Sequence, residues 1–168
     1  MQYTLAGTIE AILTLCKPLN SESANRRRAD IEWTVSEVVE HLAIVERATL
    51  VGLKRTLSRS PADPEKLKAT EGKSEIISNR VGVAVNRIQA PAVAQPGGKF
   101  GPWPAPLNQL VETRQKLMEF EATDAPGFDT HLMDHPVLGP MTVRQWLQFI
   151  AAHTNRHLIQ IESLLASG

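Results

Sequence analysis

The stretch "FIAAHTNRHLIQIE", residues 149–162, sets His153 and His157 four positions apart inside an apolar run. A four-residue step along a helix leaves two side chains on one face, separated by one turn. Trp146, Ile150 and Ile161 put that face on the apolar side. A buried imidazole needs a partner for each ring nitrogen, and leucine would pack there at less cost. The pair therefore asks for a reason beyond packing, and the segment that carries it must be a helix.

Working outward, "MT" before this run supplies Thr142, and Gln145 follows three positions later. This is a capping box, in which the hydroxyl and the amide each satisfy a backbone N–H at the start of the helix. Val143, Trp146, Leu147, Ile150, Leu158, Ile161, Leu164 and Leu165 then carry one apolar stripe to the C-terminus. A second capping box, Thr34 with Glu37, opens "WTVSEVVEHLAIVERATLVGLKRTLSRS", residues 33–60. Val35, Val38, Val39, Leu42, Val45, Leu50 and Leu53 form its stripe, and Ser60-Pro61 ends it. Leu5, Ile9, Ile12, Leu13 and Cys16 predict an earlier helix over about Tyr3 to Leu19. Leu107, Leu110, Val111, Leu117 and Phe120 predict another from about Pro104 to Glu121. No alternating run is long enough to demand a sheet. Four long amphipathic helices predict an all-α four-helix bundle, a single domain over residues 1–168.

The connection between the second and third helices, roughly 61–103, far exceeds the ~2–8 residues usual between bundle neighbours. It contains "APAVAQPGGKFGPWPAP", residues 90–106, too rich in proline and glycine for a regular helix. A connection this long can run the length of the bundle and make the helices it joins parallel, or fold over one end as a lid. "QPGGKFG" within it has no strand before it and no helix directly after it, so it does not read as a phosphate loop.

Eighteen basic and eighteen acidic residues cancel, which removes any global attraction to nucleic acid or anionic membrane. Arg26-Arg27-Arg28 reads as a short solvated run. No apolar stretch is long enough for a transmembrane helix, and the opening residues do not read as a cationic, apolar signal segment, so none is expected. Cys16 is the only cysteine, which excludes an intramolecular disulfide and points to a reducing, cytoplasmic setting. On its helix stripe it reads as a small core residue.

Two neutral imidazoles one turn apart can share a divalent cation. The third ligand expected is His41, at the edge of the second helix's stripe. Three histidines from two packed helices would leave one coordination position open, as a catalytic metal requires. Two other readings stand beside this: a non-catalytic module braced by its ion, and a plain bundle whose histidines are satisfied core residues. A second spaced pair, His131 and His135 in "DTHLMDHPVLGP", sits beside Pro136 and Gly139 and reads as a turn. Surface or loop-bracing roles are expected there, with His135 a candidate for a cavity mouth. Glu40 and Glu46 read as solvated or near-surface charges, Glu162 as surface ahead of a supporting partner for the histidine pair, and Asn155 and Arg156 as pointing away from that pair, with Arg156 a candidate for a dimer or surface salt bridge. Trp33, Trp103 and Trp146 read as packing residues. No serine triad is supported around Ser36.

"WTVSEVVEHLAIVE" (33–46) resembles the second-helix signature of the DinB-like superfamily, which includes the YfiT-type metal-dependent hydrolases. "HPVLGPMTVRQWLQFIAAHTNRHLIQIE" (135–162) resembles that family's fourth helix. The resemblance implies a four-helix bundle with a long crossover between helices two and three. It implies a divalent ion, commonly nickel or zinc, held by His41, His153 and His157. It further implies a homodimer and a small-molecule substrate. The reaction it implies is hydrolysis, or transfer to a low-molecular-weight thiol.

Overall fold

The computed structural model describes residues 3–28, 33–83 and 90–166. Four long helices form as the sequence predicts: α1 (Leu5–Cys16), α3 (Val35–Leu57), α6 (Ala105–Ala122) and α7 (Val143–Ala166). Short helices α2 (Ser21–Ala24), α4 (Pro64–Lys68) and α5 (Lys73–Ile76) lie between them. Both predicted capping boxes are present. Glu37 N donates to Thr34 Oγ1 at 3.2 Å and Thr34 N to Glu37 Oε2 at 2.7 Å. Gln145 N donates to Thr142 Oγ1 and Thr142 N to Gln145 Oε1, both at 3.1 Å. The first helix is shorter than its apolar spacing suggests. Thr4 caps it by accepting from Gly7 N, and it stops at Cys16, two residues before Pro18.

The core fixes the helix directions. At one end, Leu5 of α1, Leu50 and Leu53 of α3, Leu117 of α6 and Val143 through Ala152 of α7 pack together. At the other, Ile9, Ile12 and Cys16 pack with Val35 to Ala43, with Leu107 and Leu110, and with Ile161. Early α3 thus meets early α6, and late α3 meets late α6. The two helices are parallel, while α1 and α7 run against them. Parallel neighbours cannot be joined by a tight turn, which is the physical reason for the long crossover.

That crossover is not structureless. It holds α4, α5, a π-helical turn (Ile77–Val81) and a 3-10 turn (Ala92–Ala94). Ile77 enters the core, and Asn155 of α7 donates to Gly82 O at 2.9 Å. Residues 84–89 of the crossover, and the last two residues of the chain, lie outside the described residues.

Four expectations are corrected. First, a two-stranded antiparallel hairpin does form, β1 (Leu132–His135) with β2 (Gly139–Thr142), turning through Pro136 to Leu138. Its strands are too short to give a legible alternation. Lys73 Nζ ties it down by donating to Leu138 O at 2.8 Å and to Pro140 O. Second, Glu46 is not solvated; it is wholly buried against Arg114 of α6, also wholly buried. Third, Glu40 is buried beneath the crossover. Fourth, Arg28 is not simply a solvated charge: its guanidinium donates to Ser163 O at 2.9 Å and to Leu164 O, near the end of α7. Free carbonyls in the last helical turn favour such a cation. Among the described residues no helix is long and apolar enough to cross a membrane.

Candidate metal centre

Helix α3 brings His41 into the bundle three residues after Val38 and directly before Leu42, both fully buried. Helix α7 runs antiparallel to α3 and presents His153 and His157 on the same face, one turn apart. The three rings converge. Their centroids lie 5.3 Å (His41–His153), 4.9 Å (His41–His157) and 4.6 Å (His153–His157) apart. One nitrogen from each ring falls within 4.8 Å of the other two.

Hydrogen bonds outside the cluster fix which nitrogen His41 and His157 turn outward. His41 Nδ1 lies 2.7 Å from Ala94 O, a group that can only accept, so this nitrogen carries the proton and Nε2 keeps the lone pair. His157 Nδ1 lies 2.8 Å from Gln160 Oε1 and is protonated for the same reason. The Nε2 atoms of His157 and His153 then face each other at 3.2 Å. Two nitrogens bound to one tetrahedral ion at ordinary zinc–imidazole distances stand about 3.3 Å apart. His153 Nδ1 is buried with no partner among the described residues. A single proton shared between His153 and His157 would satisfy that pair alone. A cation satisfies the facing lone pairs of all three rings, so the residues fit a divalent metal.

The electrostatics favour neutral rings. Burial pushes His153 well below the usual imidazole range, and the charges of His157, His41, Arg156 and His135 push the same way. Burial lowers His157 to about 3, helped by His41 and Arg156 and opposed by its bond to Gln160. His41 is lowered by burial and by Arg156, against the bond to Ala94. Unprotonated imidazole is the form that ligates. Arg156 is half-buried, and its positive charge lowers all three rings further.

Aromatic rings wall the cluster. Trp33 stands 5.0 Å from His41, so it contacts the site as well as packing. Phe149 stacks on His153 at 5.4 Å and 20°. His135, at the end of β1, packs on Phe149 at 4.6 Å and on Trp146 at 5.2 Å. Its Nδ1 accepts from both Val137 N and Leu138 N at 3.1 Å, which leaves the proton on Nε2. His131 is instead a loop brace, as its turn-like surroundings suggest. It is buried, with Nδ1 3.1 Å from Gly127 O and Nε2 3.0 Å from Arg59 O. Cys16 is a fully buried core thiol whose pKa burial pushes up to about 12, and Glu162 is exposed.

Two supporting groups escape sequence reading. Gln160 follows His157 by one helical turn, and that spacing could have flagged it. Ala94 acts through its backbone carbonyl, from a segment distant in the chain, and nothing in its identity announces this.

A profile of the DinB superfamily matches residues 4–161. An uncharacterized Bacillus subtilis protein, YuaE, is 28% identical over 149 residues, covering 88% of this chain and 86% of its own length. No solved structure gives a significant match. The match runs from the first turn of α1 into the last turns of α7 and takes in all three histidines. With two antiparallel-flanked parallel helices joined by a long crossover, the chain belongs to the DinB superfamily.

Proposed function

We propose that His41, His153 and His157 hold one divalent cation, nickel or zinc, and that the protein is a metal-dependent hydrolase or thiol S-transferase acting on a small molecule. The observation that carries this is the convergence of three neutral imidazoles, two of them with their distal nitrogens already engaged by Ala94 O and Gln160 Oε1. Three protein ligands leave a fourth position open. A bound divalent ion supplies Lewis-acid activation there, making water or a thiol a nucleophile at neutral pH.

The chain's own residues supply the rest. Trp33, Phe149 and Trp146 give apolar walls that exclude bulk water and receive an uncharged part of a substrate. His135 Nε2–H has no hydrogen-bond partner among the described residues, and it can donate to an oxygen that gains negative charge. A homodimer and a cytoplasmic setting belong to the same reading. The test is turnover by zinc- or nickel-loaded protein of activated esters and amides, and of electrophiles with cysteine or another small thiol. Metal-dependent turnover abolished by His153→Ala supports the reading. A metal-bound protein that is stabilised by its ion and turns over none of these would make it a binding module instead.

A further inference from the structure

The residue before His41 is a buried carboxylate whose two oxygens are fully engaged by a loop. Glu40 Oε2 accepts from Gly97 N at 3.2 Å and Gly98 N at 3.0 Å, and Oε1 accepts from Lys99 N at 2.5 Å. Three successive backbone N–H groups around a left-handed glycine, Gly98 at φ +74°, make a concave anion-binding nest. The glycine-rich run thus does bind an oxyanion, one belonging to its own chain. Three to five residues earlier, the same segment carries Ala94, whose carbonyl accepts from His41 Nδ1. Lys99 Nζ closes the segment on itself by donating to Val93 O at 3.2 Å. Glu40 and His41, adjacent on α3, are therefore both tied to one short loop, the first as acceptor and the second as donor.

We infer that Glu40 is a positioning residue for the histidine cluster: by anchoring Gly97 to Lys99 it fixes the Ala94 carbonyl, which in turn holds His41 in the Nδ1–H tautomer with Nε2 as the ligand atom. Outer groups that orient a ligating imidazole commonly govern about 10–100-fold in metal affinity. Here the orienting group is a backbone carbonyl at the end of a single 3-10 turn in a largely exposed, proline- and glycine-rich segment. The Glu40 nest holds that segment. The inference rests on the proposed metal site for its effect on affinity, but not for its effect on the His41 tautomer.

The test compares wild type with Glu40→Gln, which keeps the side chain's shape but sets an amide N–H₂ against the nest's N–H donors. Gly98→Ala is the second variant. It strains the left-handed position from the loop side without touching α3. Three quantities are read on the full chain: amide exchange at Gly97 to Lys99, the His41 tautomer from long-range nitrogen–proton NMR, and cobalt(II) affinity by chelator competition. Expected are faster exchange at 97–99, loss of the fixed His41 Nδ1–H form, and at least tenfold weaker cobalt binding in Glu40→Gln, with Gly98→Ala shifting the same way. Release of 97–99 with the His41 tautomer unchanged, or with cobalt affinity within twofold of wild type, would overturn the inference. If wild type binds no cobalt, the metal reading fails, and the tautomer measurement alone decides the role of Glu40. If Glu40→Gln does not fold, Gly98→Ala decides on the same readouts.

Discussion

Arg114 and Glu46 form an ion pair at the centre of the bundle, both side chains wholly buried, with Arg114 Nε 2.9 Å from Glu46 Oε2 and Nη2 against Oε1. The same guanidinium donates to Leu5 O at 2.6 Å, Thr8 Oγ1 at 2.8 Å and Thr154 Oγ1 at 2.7 Å. One side chain therefore touches α1, α3, α6 and α7 together. It sits between the two apolar ends of the core and fixes the rotation of each helix relative to the others. The register it sets includes that of α7 against α3, which brings His153 and His157 to His41.

Breaking a buried pair leaves an uncompensated charge, whereas replacing both partners with apolar groups can cost little. Arg114→Met should destabilise by about 3–5 kcal/mol, because it strands the buried Glu46 carboxylate. Arg114→Met combined with Glu46→Leu should cost clearly less than the sum of the two single changes. Urea unfolding of the four proteins forms a double-mutant cycle. Additive losses would contradict a coupled pair.

The three histidines make the metal-free protein acid-sensitive. Their ordinary pKa is 6.5, and all three are depressed in the fold, His157 to about 3. Between these values the unfolded chain binds protons that the folded chain refuses, so stability rises with pH across that window. The contribution is present in full above about 6.5 and is lost as pH falls toward 3. With chelator present, the urea midpoint should fall as pH goes from 7.5 to 5, and fall less in His153→Phe. Parallel curves for the two proteins would contradict buried, neutral imidazoles.

The hairpin that carries His135 is reached through Gly127, whose φ of +108° favours glycine. A Cβ there would also stand 2.6 Å from His131 Nδ1. Gly127→Ala should cost about 1–3 kcal/mol, on the usual scale of enforced backbone strain. Its thermal midpoint should drop while the helical circular dichroism at low temperature is kept. An unchanged midpoint would show that the loop around His131 yields freely.

His135 is expected to affect turnover and not the cluster. It contacts Phe149 and Trp146, and its Nε2 proton is left free by two N–H groups on Nδ1. His135→Phe should keep the ring packing and the metal stoichiometry but reduce kcat by about 10²-fold, the scale for losing one preorganised donor. Loss of metal along with activity would move His135 into the ligand set.

The four helices were legible because their apolar stripes and two capping boxes are local patterns. The shared direction of His153 and His157 was legible for the same reason, and His41 stood out beside the apolar stripe of α3; that the two helix faces meet depends on the packing of α3 against α7 and was not. What the sequence hid depends on contacts between distant segments. Glu46 looks like any charge on an amphipathic helix until Arg114 arrives from 68 positions away. Glu40 is concealed by a loop 57 to 59 positions further on, whose binding groups are backbone N–H and carry no residue signature. The hairpin is four residues per strand and is held by Lys73 as much as by its own pairing.

The central claim is tested most directly by metal occupancy at the three histidines. Untagged protein loaded with zinc or nickel should carry one ion per chain by elemental analysis. A crystal of it should show one anomalous peak at the ion's edge, within ordinary metal–nitrogen distance, about 2.0–2.1 Å for zinc, of His41, His153 and His157. A chain that stays empty after loading, or one whose ion remains when His41, His153 and His157 are all replaced by alanine, would contradict it.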